Sequence, residues 1–184
     1  MPNVKLSNVR LAFPAIWEPK AVNGEGAPRF SAAFPIQPKS ENAKALDDAM
    51  RAVAITKWGQ KALPIFNELR LKGRVAFREA ALAKDGETYE GFEGMFTLNA
   101  SNKTRPTILD RDRSPLTEAD GRPYAGCYVH AIVEVWAQDN QWGKRINCTL
   151  KGLQFVRDGE AFAGGAAASE NEFDDLSLDD ADLV

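Results

Sequence analysis

The chain has 184 residues, 44% of them hydrophobic and 27% charged, with 26 acids and 23 bases for a formal net charge of -3. That length and composition describe one globular domain with an ordinary core plus a tail, and exclude a chain that is disordered over most of its length. No stretch approaches the roughly 18 apolar residues of a membrane span, and MPNVKLSNVRL lacks the apolar block of a secretory signal, so a cytoplasmic protein with no membrane partner is expected.

In VKLSNVRLAFP, Val4 and Leu6 share one face, and Val9, Leu11 and Phe13 follow after a one-residue slip near Ser7 and Asn8. This predicts a strand with a bulge. Ala15 to Pro28, with two glycines and two prolines, reads as a loop carrying an isolated Trp17. RFSAAFPI alternates Phe30, Ala32, Phe34 and Ile36 as a second strand, which Pro35 and Pro38 place toward an edge or an end. Ser40 is a plausible N-cap for a helix that sets Leu46, Met50 and Val53 at helical spacing and ends at Gly59. QKALPIFNEL continues as a shorter helical or irregular piece.

From residue 72 the period returns to two. GRVAFREA sets Val75 and Phe77 against Arg74 and Arg78, DGETYEG is a turn, and MFTLNASNK alternates Phe96, Leu98 and Ala100 inward against Thr97, Asn99 and Ser101. A long polar loop spans Lys103 to Gly126. The clearest hairpin follows, turning near residues 139 to 143: Val129, Ala131, Val133 and Val135 face the core with Ile146, Cys148 and Leu150. Gly152 permits a slip that brings in Leu153 and Phe155. The two cysteines, Cys127 and Cys148, do not face each other across this hairpin and read as buried free thiols of a reducing compartment.

Five to six strands with one inserted helix fit a mainly β fold. A small Greek-key barrel of the oligonucleotide-binding (OB) kind is one solution and a β-sandwich with one helix the other. Residues 1–163 form the domain and residues 164–184, beginning GGAAASEN, a flexible acidic tail.

Catalysis finds little support, and no cofactor is implied. The single histidine, His130, lies mid-strand without a second imidazole or an evident Ser/His/Asp set, and no phosphate-binding glycine loop occurs. Asp110, Asp112 and Asp120 are spaced to hold a divalent cation, but Arg111 and Arg113 alternate with them, which favours ion pairing within a solvated loop over a metal site.

Single-strand binding needs cations that follow the phosphates and flat side chains on which bases stack. Arg145 and Lys151 share the outward face of the hairpin with Tyr128 and Trp136. Lys103, Arg105, Arg111, Arg113 and Arg122, with Tyr124, extend the same groove from the polar loop, and Trp17 is a further platform. The alternative is that these aromatics pack under other elements and the cations are ordinary surface charge. The net charge hides a division: Glu170 to Val184 carries seven acids and no base, which leaves 19 acids against 23 bases, a body of net +4. Within that tail Asp174, Asp175, Asp179, Asp180 and Asp182 alternate with Phe173, Leu176, Leu178, Leu183 and Val184. Such a segment has the charge to lie in a basic groove and, in Leu183 and Val184, an apolar tip for partners.

The stretch from Tyr124 to Gly165 resembles the C-terminal half of a family of tailed-phage single-stranded DNA-binding proteins, through its YAGCYV opening and its closing LKGLQFVRDGE. NVKLSNVRLAFPAIWEPK and RFSAAFPIQPKS are similar to the family's first and second strands. The resemblance implies a variant OB-fold: a five-stranded Greek-key barrel with additional strands, one inserted α-helix and a disordered acidic C-terminal tail. It also implies non-sequence-specific binding of single-stranded DNA in phage replication or recombination, in the cytoplasm of the infected or lysogenic bacterial host. The tail would meet a polymerase, helicase or primase, with a homodimer left open. Strand annealing and a structural role without DNA binding are the alternatives.

Overall fold

A computed structural model describes residues 2–22, 25–79, 88–89 and 91–162. β1, Asn3–Arg10, buries Val4, Leu6 and Val9, and its ladder slips between Leu6 and Val9. Asn8, at φ 53, absorbs the extra residue, a conformation that asparagine tolerates better than most. The Leu11 N–H donates to the Cys127 carbonyl and the Leu11 carbonyl accepts from the Gly126 N–H, and the chain runs on into β2, Ala12–Val22. β1 and β2 are thus one long bent strand. Phe13 sits at the bend with φ 46.

β2 pairs with β3, Glu25–Ile36, so the segment expected to be a loop around Trp17 is a β-hairpin. Its prolines hid it: Pro19 and Pro28 lie where the β2–β3 register shifts, at gaps in the ladder where a missing N–H costs nothing. Phe13, expected to face inward, is 59% exposed because the bend at this residue breaks the alternation.

Two helices follow β3. Ser40 Oγ accepts from the Ala43 N–H at 3.2 Å and caps α1, Glu41–Trp58, which ends at Gly59 with φ 58. A short 3-10 turn leads into α2, Ala62–Leu71. Leu46, Met50 and Phe66 are fully buried between these helices and the strands. Asp47 joins the helices, accepting from Arg51 at 2.9 Å and Arg70 at 2.8 Å. No described helix is long and apolar enough to cross a membrane.

The chain then adds β4, Phe77–Glu79, and β5, Phe96–Asn102, which pair with each other. Thr97, read as outward, is buried where β4 lies alongside it. The polar loop from Lys103 to Gly126 contains a further strand, β6, Thr107–Leu109, parallel to β8 and held by the buried Ile108. β7, Tyr128–Asn140, and β8, Gly143–Arg157, form the expected hairpin, with a register shift at Lys151 beside Gly152. Val129, Ala131, Val133, Val135, Ile146 and Leu150 are all fully buried, as the alternation requires. Cys127 and Cys148 are buried free thiols.

The strand order is β1-β7-β8-β5-β3-β2. Because β1 and β2 are one strand, the two ends of this order meet and the sheet curls into a Greek-key barrel. The join between β5 and β8 is parallel and carries one register pair, Ser101↔Thr149, so the barrel is partly open along that line.

Candidate nucleic-acid interface

The residues that alternate with the core residues of β3, β5, β7 and β8 point out of the barrel, and around the β5–β8 join they form a groove of about 570 Å³. Its floor is low because Ser31, Ala33, Asn99 and Ser101 are short. Trp136 stands at its side, its Nε1–H donating to Thr149 Oγ1 at 3.1 Å. Asn147 Nδ2 donates to Gln138 Oε1 at 3.1 Å, which orders the same wall.

Three arginines enter the groove from three strands: Arg29 from β3, Arg78 from β4 and Arg145 from β8. Arg78 Nη1 is aimed by the carbonyls of Gly73 and Val75, at 3.1 and 3.2 Å. The Arg29 Nε is buried with no hydrogen-bond partner. Burial, and then the charges of Arg74 and Arg78, hold the Arg145 pKa below the usual arginine value. Among the described residues no carboxylate pairs with any of the three. A cluster of like charges without counter-charge is unfavourable by itself, and a bound anion would relieve it.

Past Phe13 the groove continues into a second hollow of about 300 Å³, lined by Arg78, Tyr89 and Phe92. The Tyr89 ring meets Phe13 edge-on at 5.4 Å, and Phe92 stacks on Phe13 at 6.1 Å. Phe13 and Tyr89 are both solvent-exposed. An aromatic residue at positive φ that is then left in water is a costly arrangement, of the kind that accumulates at binding sites.

Of the residues expected from sequence, Trp136 and Arg145 lie in this groove, and the others lie elsewhere. Tyr124 donates its hydroxyl to Asp158 at 2.7 Å, and burial together with that bond raises its pKa. Tyr128 carries the Arg157 guanidinium 3.7 Å above its ring and lines a hollow at the end of the barrel with Asn8 and Arg10. Trp17 packs against the core, and its carbonyl accepts from Arg105 Nη2 at 2.7 Å; both line a third hollow, beside β6. Lys103, Arg111, Arg113 and Lys151 are exposed. The continuous surface expected from Tyr124, Trp17 and the polar loop is therefore divided, because β6 and the loop after it pack over the far end of β8.

Arg122 is held by Asp110 at 2.6 Å, Asp112 accepts from Ser114, and Asp120 caps the 3-10 turn at Thr117. Each of these carboxylates is held below its ordinary pKa, the largest causes being the hydrogen bonds from Arg122, Ser114 and Thr117 respectively. Ion pairing and capping thus account for the three aspartates, and among the described residues no cluster of three or more metal-binding side chains occurs. His130 Nδ1 accepts from the Asn8 N–H at 3.0 Å and steadies the β1 bulge. The tail residues Phe173, Asp174, Asp175, Asp179, Asp180, Asp182, Leu183 and Val184 lie outside the described residues.

Sequence reasoning missed Arg29, Arg78, Phe13 and Tyr89. Arg78 was legible as a cation opposite a core face. Tyr89 sits in a segment with turn composition, and nothing local marks it.

The family described as Enterobacter phage Enc34, ssDNA-binding protein, matches residues 2–184. The chain belongs to this family. Protein p50 of Acyrthosiphon pisum secondary endosymbiont phage 1 is 46% identical over 179 residues, covering 95% of this chain and 94% of that one. The Enc34 single-stranded DNA-binding protein, solved in complex with ssDNA, shares the fold, with a TM-score of 0.72 at 24% identity over 88% of this chain and 89% of that one. So does gp2.5, the single-stranded DNA-binding protein of bacteriophage T7, with a TM-score of 0.57 at 10% identity over 92% and 99% of the two chains. The Enc34-type barrel therefore tolerates wide sequence change.

Proposed function

We propose that this Enc34-type protein binds single-stranded DNA without sequence preference, along the groove that crosses the β5–β8 join. The observation that carries the reading is the meeting of Arg29, Arg78 and Arg145, unpaired by carboxylates among the described residues, with Trp136, Phe13 and Tyr89 in one groove. Phosphates supply the missing counter-charge, and bases stack on the rings at about 1–3 kcal/mol each. The strands involved are those on which OB barrels commonly bind oligonucleotides. No catalytic step is required. The protein works in phage replication or recombination in the host cytoplasm.

The acidic tail completes the reading. With seven acids against a body of net +4, it competes for the groove when DNA is absent and is released to a polymerase, helicase or primase when DNA arrives. A fluorescence titration with a single-stranded oligonucleotide tests both parts. Three phosphate contacts give a log–log salt slope of about -2, and a protein with no measurable affinity at low salt ends the proposal. Deleting residues 170–184 removes no described contact and should tighten binding. Equal or weaker affinity would sink the masking role.

A further inference from the structure

Beyond the groove, the turn between β7 and β8 carries Trp142, 75% exposed. The turn is well held. Arg74 donates from Nε to the Lys144 carbonyl at 2.8 Å and from Nη2 to the Trp142 carbonyl at 3.0 Å, and the Trp142 N–H donates to Asn140 Oδ1 at 2.9 Å. Between the turn and α2 lies a hollow of about 490 Å³, in which Trp142, Ile65 and Leu69 meet the three cations Lys72, Arg74 and Lys144. Glu68 is bound to Lys72 at 2.6 Å and Asp139 lies 3.9 Å from Lys144, which leaves Arg74 without a carboxylate partner among the described residues. An exposed indole beside an apolar wall and surplus positive charge suits a ligand that is both apolar and acidic. A phosphate chain supplies only the second property.

This chain contains such a ligand. Phe173, Leu176, Leu178, Leu183 and Val184 alternate with five aspartates. Geometry permits delivery within one molecule. The described chain ends at Phe162, which stacks on Phe92 at 6.4 Å and takes the Arg10 guanidinium 4.1 Å from its ring centre. Gly91 makes room for that seat, since a Cβ there would lie 2.3 Å from the Phe162 ring. Phe92 lines the aromatic end of the groove, so the tail starts there. Arg10 pairs with Tyr128 at the start of β7, and Trp142 follows its end. At about 3.3 Å per residue β7 spans at most about 40 Å. Extended at the same rise, the chain from Phe162 reaches roughly 46 Å at Leu176 and roughly 70 Å at Leu183, so the tip arrives with slack.

We infer that the Trp142 hollow is a socket for the chain's own C-terminus: the acids of the tail lie along the groove arginines, and its leucines seat against Trp142, Ile65 and Leu69. This rests on the masking role proposed above and adds to it a specific anchor. A DNA strand that fills the groove lifts the acids, weakens the anchor and frees the leucines for a partner.

The test uses the full chain and its affinity for a single-stranded oligonucleotide at low salt. Trp142→Ala, and separately the L176S/L178S/L183S variant, should each tighten binding about threefold or more, and combining them should add nothing further, because both remove one contact. If deletion of residues 170–184 tightens binding but neither variant does, masking stands on charge alone and the socket is overturned. If the deletion has no effect, the masking role itself fails. Weaker binding by Trp142→Ala would assign the indole to DNA and overturn the socket. A second readout needs no DNA: acrylamide should quench tryptophan emission less in the full chain than in the L176S/L178S/L183S variant, and equal quenching overturns the inference.

Discussion

Replacing Arg145 with methionine separates binding from folding. The unbranched stem is kept, so packing on β8 changes little, while the charge is removed. In the free protein that charge faces Arg74 and Arg78 and has no carboxylate partner among the described residues. Its loss should leave stability within about 0.5 kcal/mol of the parent, or raise it slightly. With single-stranded DNA the sign reverses. A hydrogen bond to a charged group contributes about 1.5–3 kcal/mol, equivalent to about 10- to 150-fold in Kd. The lower half of that range is expected, because Arg29 and Arg78 remain in the groove to take over part of the contact. Fluorescence anisotropy with a labelled oligo-dT at several salt concentrations should also show the log–log slope shrink by about 0.7, the value of one phosphate contact on a single strand. A thermal melt on the same sample supplies the stability half. An unchanged slope would place Arg145 off the DNA path. A melting temperature lower by more than about 5 °C would make it a structural residue and refute the argument from uncompensated charge.

Phe13→Ala should weaken single-strand binding by about 1–3 kcal/mol at little cost in stability, since the ring is largely exposed; titration and melting together check it. Tyr124→Phe should do the reverse, losing about 1 kcal/mol in urea denaturation with the bond to Asp158 while oligonucleotide affinity holds. Burial pushes the Cys127 thiol up to about 11 and the Cys148 thiol up to about 12. Both folded values lie above the unfolded one of 9.0, so their contribution is complete below pH 9 and is lost as pH rises toward 11 to 12. The slope is about 1.4 kcal/mol per pH unit per thiol. Urea midpoints from pH 8 to 10.5 should fall, and fall less steeply in Cys148→Ala.

The strands were readable wherever period-two alternation was unbroken. Val129 to Val135 and Ile146 to Leu150 bury as the pattern dictates, and Gly152 marks the slip that the register shows. β2 was not readable, because its prolines occupy the gaps in its own ladder and resemble a loop in sequence. The groove was half legible for a related reason. Trp136 and Arg145 belong to a hairpin whose partners are close in sequence, so their common face follows from alternation. Arg29 and Arg78 join them only because β5 lies beside β8, a pairing that no local pattern announces. Phe13 was assigned to the core because its outward aim depends on a backbone bend at that one residue.

The single pair that joins β5 to β8 also bears on how the barrel assembles. Ser101 and Thr149 are roughly 50 residues apart, whereas β7 and β8 meet through a two-residue turn, and contacts between distant residues form late because the intervening chain must first be ordered. The floor of the groove is therefore expected to close last and open first. A nucleic acid lying across it bridges strands that the protein itself scarcely connects. Amide hydrogens on the facing edges of β5 and β8 should exchange fastest among the barrel strands in the free protein and slow most when an oligonucleotide is bound.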